Sequence, residues 1–405
     1  MSEPQHIVFL TTDFRPMVGG VADHLHRMAD HLAARTPVTV MTTVPPAGAN
    51  WPHAYRHVTL EPLPERQLGH LPGDNVAPFR KLRTGAHFLA LRRYAERVVA
   101  DIKAKCGSDV AVVIGIWDTA SHFWCEACRR AGVPYYIVAH GVELLMDLYG
   151  RLPRWRQRDF ARAVRVIANS RATARLTADT FTLATPPAVV NPSVGPRPAP
   201  EDIAARGAAL RRELRLGDGT GGPLLLTVGR LVPRKGCDLV LRSVAALAQE
   251  YPGLRYIVAG DGPERERLTE LARELGITDR VRMLGDVDDL TKWAAYDICD
   301  LFVSPTRQSE SSDWEGFGIV FLEAALSGRA AIGGRTGGTA DAIVDGLTGV
   351  LVDTNERGEL LRAIRRLLSD AGLRGRLGRT AEQMARTRFT GEAALRSLRE
   401  QLAWN

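Results

Sequence analysis

Short, almost uninterrupted apolar runs recur along the 405 residues, each followed by a longer stretch of helical periodicity. This alternation constrains the fold more than any other feature. In the first half the runs fall at 7–12, 38–43, 110–116, 135–140, 164–168 and 188–190. A half-exposed strand alternates apolar with polar residues. A run that is apolar throughout suits a strand covered on both faces, as in a parallel sheet sandwiched by helices. The intervening stretches are amphipathic: Val21, Leu25, Met28, Ala29 and Leu32 mark one apolar face. The second half repeats the scheme, with strands expected at 224–229, 255–259, 281–284, 301–304, 330–333 and 350–352. Helices are expected at 237–250, 264–275, 289–296, 320–326, 356–377 and 391–404. Between the halves, 191–223 carries Pro192, Pro196, Pro198 and Pro200, a helical segment 204–214, then Gly217, Gly219, Gly221 and Gly222. That composition reads as an interdomain connection. Two successive βα arrays predict an α/β chain of two Rossmann-like, doubly wound domains, 1–195 and 196–387.

Composition narrows the class. Hydrophobic residues make up 45% and charged residues 24%, which is enough apolar material for two cores. The net charge of +7 favours an anionic partner without choosing among nucleic acid, anionic lipid and phosphorylated small molecules. The basic residues are not interleaved with aromatics and no recognition module appears, which argues against nucleic acid. Five scattered cysteines fit a reduced, cytoplasmic protein. Cys125 and Cys128 have zinc-like spacing but no second pair, and at helical spacing they read as packing residues. No signal-peptide pattern opens the chain and no apolar run reaches the roughly eighteen residues of a membrane span. Two basic segments, one with Arg80, Lys81, Arg83, Arg92 and Arg93 and one running from Arg151 to Arg175, are either solvated faces or surfaces for an anionic acceptor or the inner membrane face.

In open α/β sheets ligands bind beyond the carboxyl ends of the strands, so the turns there are the ones to search. The first such turn ends in Gly19-Gly20 ahead of a helix, an arrangement that lets backbone N–H groups approach an anion. Asp13 and Arg15 lie in the same turn. After the 135–140 run come His140-Gly141-Val142-Glu143, placing an imidazole and a carboxylate at a strand end. In the second domain Arg230 follows a strand and Lys235 precedes a helix, two cations placed to clamp a diphosphate. The most specific run is Glu315-Gly316-Phe317-Gly318-Ile319-Val320-Phe321-Leu322-Glu323. Glu323 sits among apolar neighbours, so it is expected to be buried and to need a partner. A vicinal diol such as a ribose fits that need. Gly316 and Gly318 free the loop to present N–H groups before the helix. Arg335-Thr336-Gly337-Gly338-Thr339 forms another glycine-rich turn at the same edge, whereas Asp286-Val287-Asp288-Asp289 reads as a loop and helix cap.

The Glu315–Glu323 run, with its inner Gly-Phe-Gly, resembles the signature of retaining glycosyltransferases of the GT-B fold, in the large family that includes bacterial mannosyltransferases and sucrose synthase. The likeness continues in Gly229-Arg230, Lys235-Gly236, Val258-Ala259-Gly260-Asp261-Gly262-Pro263 and Gly337-Gly338, and more loosely in Gly19-Gly20, His140–Glu143 and Ala168-Asn169-Ser170. The resemblance implies two Rossmann-like domains facing each other across a cleft, with the final helix, 388–405, crossing back to the first. It implies that Arg230 and Lys235 hold the donor diphosphate and Glu323 the ribose. Glu315 and the Phe317-Gly318-Ile319 backbone would then hold the sugar and phosphate. His140 touches the transferred sugar, Gly19 and Gly20 approach the donor, and Asp13, Arg15 and Glu143 fall on the acceptor side. His140, Glu315, Arg230 and Lys235 are thus the catalytic candidates. The resemblance also implies that the diphosphate takes the acceptor proton, and that neither metal nor cofactor is expected. The expected activity is transfer of a hexose from a GDP- or UDP-linked donor to a hydroxyl of a small-molecule, saccharide or lipid-linked acceptor, forming an α-glycoside. Two other readings stand beside it. A hydrolysing nucleotide-sugar epimerase shares the fold but needs more carboxylates at first-domain strand ends, where only Asp13, Asp118 and Glu143 stand. A basic polyanion-binding protein is suggested by charge alone. One departure from the family pattern is Asn191-Pro192-Ser193-Val194 at the junction, in place of Pro-Asn-Gly.

Overall fold

The apolar runs become parallel strands in two separate sheets. The structure, a computed structural model, describes residues 4–15, 17, 19–42, 54–59, 78–118, 120–145, 154–216, 221–308 and 315–402. The first sheet contains β1 His6–Thr11, β2 Val38–Thr42, β3 Arg56–Thr59, β4 Val110–Ile114, β5 Tyr135–Ala139, β6 Arg165–Ala168 and β7 Ala188–Val189, in the order β3-β2-β1-β4-β5-β6-β7. The second contains β8 Leu224–Val228, β9 Arg255–Ala259, β10 Val281–Gly285, β11 Leu301–Ser304, β12 Ala331–Gly334 and β13 Gly349–Val352, in the order β10-β9-β8-β11-β12-β13. Every strand pair in both sheets is parallel.

Burial on both faces explains the unbroken apolar runs. Successive side chains of a strand point to opposite faces. Ile7 and Phe9 of β1 enter a core with Leu25, Met28 and Leu32 of the helix Gly20–Ala33, while Val8 and Leu10 enter another with Val112, Ile114 and Trp124. In β8, Leu224, Leu226 and Val228 face one core and Leu225 the other. Cys125 and Cys128 are buried in the helix Ser121–Ala131, and burial raises both thiols, that of Cys128 to about 12.

The chain divides into two compact units, 1–192 with 391–405, and 193–390. The junctions fall three residues from the expected 195/196 and 387/388. In the first unit the helix Gly391–Leu402 puts Leu398 and Leu402 into the core beside Leu25 and Met28. In the second, Val194 N donates to Phe389 O at 3.0 Å, joining the segments where the chain enters and leaves. The single helix expected over 356–377 is in fact two, Glu359–Ser369 and Ala371–Arg388. Asp370 breaks them by capping the second through Leu373 N, a local bond that competes with helix continuation. Asp288 likewise caps the helix Asp289–Ile298 through Thr291 N, so the acidic run serves as a helix start. The sequence reading also passed over β3 and the helix Pro78–Cys106. Thr43, Arg151, Gly217, Gly219 and 309–314 lie outside the described residues, as do the side chains of Arg80, Lys81 and Arg83. Among the described residues no helix is long and apolar enough to cross a membrane.

The strand orders fix where each unit can bind. In the first sheet the chain moves outward from β1 and restarts at β4. In the second it moves outward from β8 and restarts at β11. Loops leaving neighbouring strands in opposite directions open a crevice at these switch points.

Candidate functional site

At the switch point of the second sheet, the turns after β8 and β11 bring opposite charges together. Past β8 the backbone passes through Gly229 at φ +140°, a conformation that L side chains rarely adopt. The Lys235 side chain lies across this glycine: a Cβ there would stand 3.6 Å from Lys235 Cε. Pro233–Lys235 forms one tight helical turn, ended by Gly236 at φ +66°, where a Cβ would strike the Pro305 carbonyl at 2.4 Å. This turn aims Arg234 and Lys235 at Glu315. Glu315 Oε2 accepts from Arg234 Nη1 at 2.7 Å and from Lys235 Nζ at 2.6 Å.

Glu315 is held by its backbone as well. Its carbonyl accepts from Gly338 N at 2.8 Å, and a Cβ on Gly337 would lie 2.2 Å from the same oxygen. Only glycine permits that approach, which gives the predicted Gly337-Gly338 turn its physical reason. The Glu315 side chain is 10% exposed. Burial pushes its carboxyl up, but the Lys235 and Arg234 charges outweigh burial and hold it below its ordinary value. A depressed folded value means this carboxylate stabilises the fold fully above the unfolded carboxylate range, about pH 4.3, and stops doing so as pH falls through the folded value. The stability advantage of wild type over Glu315→Gln should therefore shrink between about pH 6 and about pH 3. Equal urea-midpoint differences at the two pH values would contradict it.

Gly316 and Phe317 lead into the helix Ile319–Leu326, entered through Gly318 at φ +90°. No side chain caps this helix start, a geometry suited to an anion. One turn further, Glu323 is buried as expected. Its partner, however, is the protein itself: Lys292 Nζ donates to Oε1 at 2.9 Å and Tyr296 OH to Oε2 at 3.0 Å. The carboxylate is thus paired within the protein itself. Burial works against the Lys292 ammonium, yet the Glu323 and Asp289 charges raise it above its ordinary value. Burial, and then Glu323, push the Tyr296 phenol well above its own. Lys292 and Tyr296 are one helical turn apart and share a face of Asp289–Ile298. That i, i+4 spacing was the available signal; in sequence it is hidden among Trp293, Ala294 and Ala295. Arg234 was missed for another reason, since strand-end position favoured Arg230. Arg230 is exposed and its side chain makes no hydrogen bond or ion pair among the described residues.

In the first unit the turns after β1, β4 and β5 meet. Thr12 Oγ1 donates to Asp118 Oδ2 at 2.9 Å, and Asp118 Oδ1 accepts from Ser121 N at 2.8 Å. His140 is buried, with Nε2 2.9 Å from the Gly115 carbonyl. A carbonyl only accepts, so Nε2 donates this bond. The His140 ring stands edge-on to His24, with centroids 5.6 Å apart. Asp13 is coupled to this group. Burial raises its carboxyl above the ordinary value, only partly offset by His140. Gly19 and Gly20 are exposed, and the helix beginning at Gly20 has no side-chain cap. Arg15 is ion-paired with Asp23 at 2.6 Å. Glu143 does not present an open carboxylate: it is buried and its Oε1 accepts the His140 amide, while its carbonyl accepts from Arg156 Nη2. It shapes the turn that carries His140. Among the described residues no cluster of three or more His, Cys, Asp or Glu could hold a metal ion.

The structure thus gathers Lys235, Glu315, Gly316, Phe317, Gly318, Ile319 and Glu323 in one unit, and Asp13, Gly19, Gly20, His140 and Glu143 in the other. Comparison with known proteins follows the same division. Residues 18–196 match the family described as "Glycosyltransferase Family 4" and residues 215–384 the family described as "Glycosyl transferases group 1". The chain is 33% identical over 186 residues to the GDP-mannose-dependent alpha-(1-6)-phosphatidylinositol monomannoside mannosyltransferase of Mycolicibacterium smegmatis, covering 46% of each chain. It is 34% identical over 308 residues to the D-inositol 3-phosphate glycosyltransferase of Salinispora tropica, covering 69% of this chain and 62% of that one. The matches therefore span about half to three-fifths of these relatives' lengths. Anabaena HepE, solved in complex with UDP, superimposes with a TM-score of 0.73 at 21% identity, over 98% of this chain and 99% of that one. With a family match in each unit and the same two-domain α/β architecture, the chain belongs to the glycosyltransferases of the GT-B fold.

Proposed function

We propose that the protein transfers a hexose from a GDP- or UDP-linked donor to an acceptor hydroxyl, with retention, forming an α-glycoside. The observation that carries this reading is the meeting of Arg234, Lys235 and Glu315 at the switch point of the second sheet, beside the uncapped helix that holds Glu323. Two cations and a helix start form a diphosphate site that needs no metal. Glu323, held in place by Lys292 and Tyr296, retains lone pairs for the ribose hydroxyls. Glu315 and the Phe317-Gly318-Ile319 backbone serve the sugar and phosphate, and exposed Arg230 adds a further charge to the diphosphate. In the first unit the His140 imidazole contacts the transferred sugar, and the turn bearing Asp13, Gly19 and Gly20 serves donor and acceptor.

In the reaction the acceptor oxygen bonds to the anomeric carbon as the bond from that carbon to the diphosphate breaks. The acceptor proton passes to the leaving diphosphate. Lys235 and Arg230 stabilise the charge that develops there, which is where fixed cations accelerate most. The Mycolicibacterium relative is named for GDP-mannose and the Salinispora relative for an inositol phosphate acceptor, so both molecules belong in the first assay.

The test is a thermal-shift screen against GDP, UDP and ADP and their sugars, with magnesium and with a chelator. Product release and the anomeric configuration of the product follow, by NMR. A ligand that binds the folded state raises its melting temperature. Stabilisation by one diphosphate, undiminished by the chelator, and an α-linked product are expected. A β-linked product would overturn retention, and dependence on magnesium would overturn the cation clamp.

A further inference from the structure

We infer that Glu315 acts as a resident anion: in the empty site it occupies the cations that the donor diphosphate takes, and donor binding displaces it towards the sugar. This deepens the donor reading and rests on it. Three observations carry it. First, a single oxygen, Glu315 Oε2, accepts from both Arg234 and Lys235, at 2.7 and 2.6 Å, so the carboxylate sits between the two charges that a diphosphate would bridge. Second, the exchange is favoured by charge. A diphosphate brings more negative charge to those cations than one carboxylate does. Third, the backbones on both sides are fixed. The Arg234 carbonyl accepts from Arg307 N at 2.8 Å, and the Glu315 carbonyl from Gly338 N at 2.8 Å. The exchange is therefore a side-chain rotation within a rigid frame. It also assigns Arg234, a residue sequence position did not favour, to the donor phosphates.

A site whose cations are already occupied binds a ligand more weakly, by the fraction of time it is vacant. Removing the resident charge should raise affinity for a diphosphate that carries no sugar, although the sugar contact, and with it turnover, is lost. A residue serving only the sugar would leave the free diphosphate unaffected.

The experiment measures binding of GDP, UDP, ADP and inorganic pyrophosphate to the full chain by calorimetry, for wild type, Glu315→Gln, Glu315→Asp and Arg234→Gln. Glu315→Gln should bind the preferred nucleoside diphosphate and pyrophosphate roughly five- to tenfold more tightly, within the usual range of couplings between sites, while glycosyl transfer falls. Glu315→Asp keeps the charge but is too short to reach both cations, and should bind with intermediate strength; it decides the matter if Glu315→Gln does not fold. Arg234→Gln should bind more weakly than wild type. If wild type binds a nucleoside diphosphate and the Glu315 variants bind it no more tightly, the exchange is wrong and the donor reading stands. If the variants tighten on pyrophosphate while no nucleotide binds any form, the exchange stands and the nucleotide reading falls.

Discussion

Replacing Lys292 with methionine is expected to lower folding stability by about 3–5 kcal/mol, the penalty for leaving a buried charge without its counter-ion. Lys292 Nζ lies 2.9 Å from Glu323 Oε1, and the carboxylate side chain is only 5% exposed. Once the ammonium is gone, the Tyr296 hydroxyl remains as a neutral donor on the other oxygen. Methionine matches the length of the lysine stem, so the loss reports the charge rather than a cavity. Urea unfolding checks it, and an unchanged midpoint in Lys292→Met would refute the pairing. Adding Glu323→Gln should restore most of the stability, because both charges are then absent. It should not restore nucleotide binding, because the amide presents only one acceptor to the ribose. The double variant separates holding the fold from holding the ligand.

Lys235→Met should lower kcat/KM by roughly 10²–10³, the range for loss of one fixed donor at a developing negative charge. Lys235 is buried and its stem crosses Gly229, so its ammonium is aimed by the fold. Lys235→Arg should recover only part of the loss. The guanidinium is broader and forked, whereas Lys235 reaches Glu315 with a slender stem laid over Gly229 and a compact head. Steady-state rates at saturating acceptor test both variants. Activity of Lys235→Met within about threefold of wild type would remove Lys235 from the diphosphate site.

Much of this molecule was legible in the chain, and the reason lies in burial. A central strand of a parallel sheet must be apolar on both faces, so Ile7 to Leu10 and Leu224 to Leu226 announce themselves without an alignment. β3, Arg-His-Val-Thr, lies at the sheet edge with one neighbour and lacks that signal. The two closing helices looked continuous because Leu360, Ile364, Leu367 and Leu377 keep a helical period across Asp370; only the cap reveals the break. At the site, the candidates were readable from position: Lys235 ahead of a helix, Glu315 and Glu323 in the glycine-broken run, and His140 at a strand end. Their partners were not. Arg234, Lys292 and Tyr296 act through side chains reaching across the fold, over sequence separations of 81, 31 and 27 residues. Likewise Glu143 looked like an open acid until its carboxylate was seen to turn back onto the His140 amide.

The course of the chain through the two units bears on the order in which they can form. Residues 193–390 make the second unit as one uninterrupted stretch, whereas the first needs Leu398 and Leu402 to finish the core around Leu25 and Met28. On the ribosome, the stretch translated first is therefore the one that matures last. The helix Gly20–Ala33 can pack on the sheet at once, but the part of the core that Leu398 and Leu402 complete must wait while some two hundred residues of the other unit are made. The second unit is self-sufficient during synthesis, and the first depends on a latecomer.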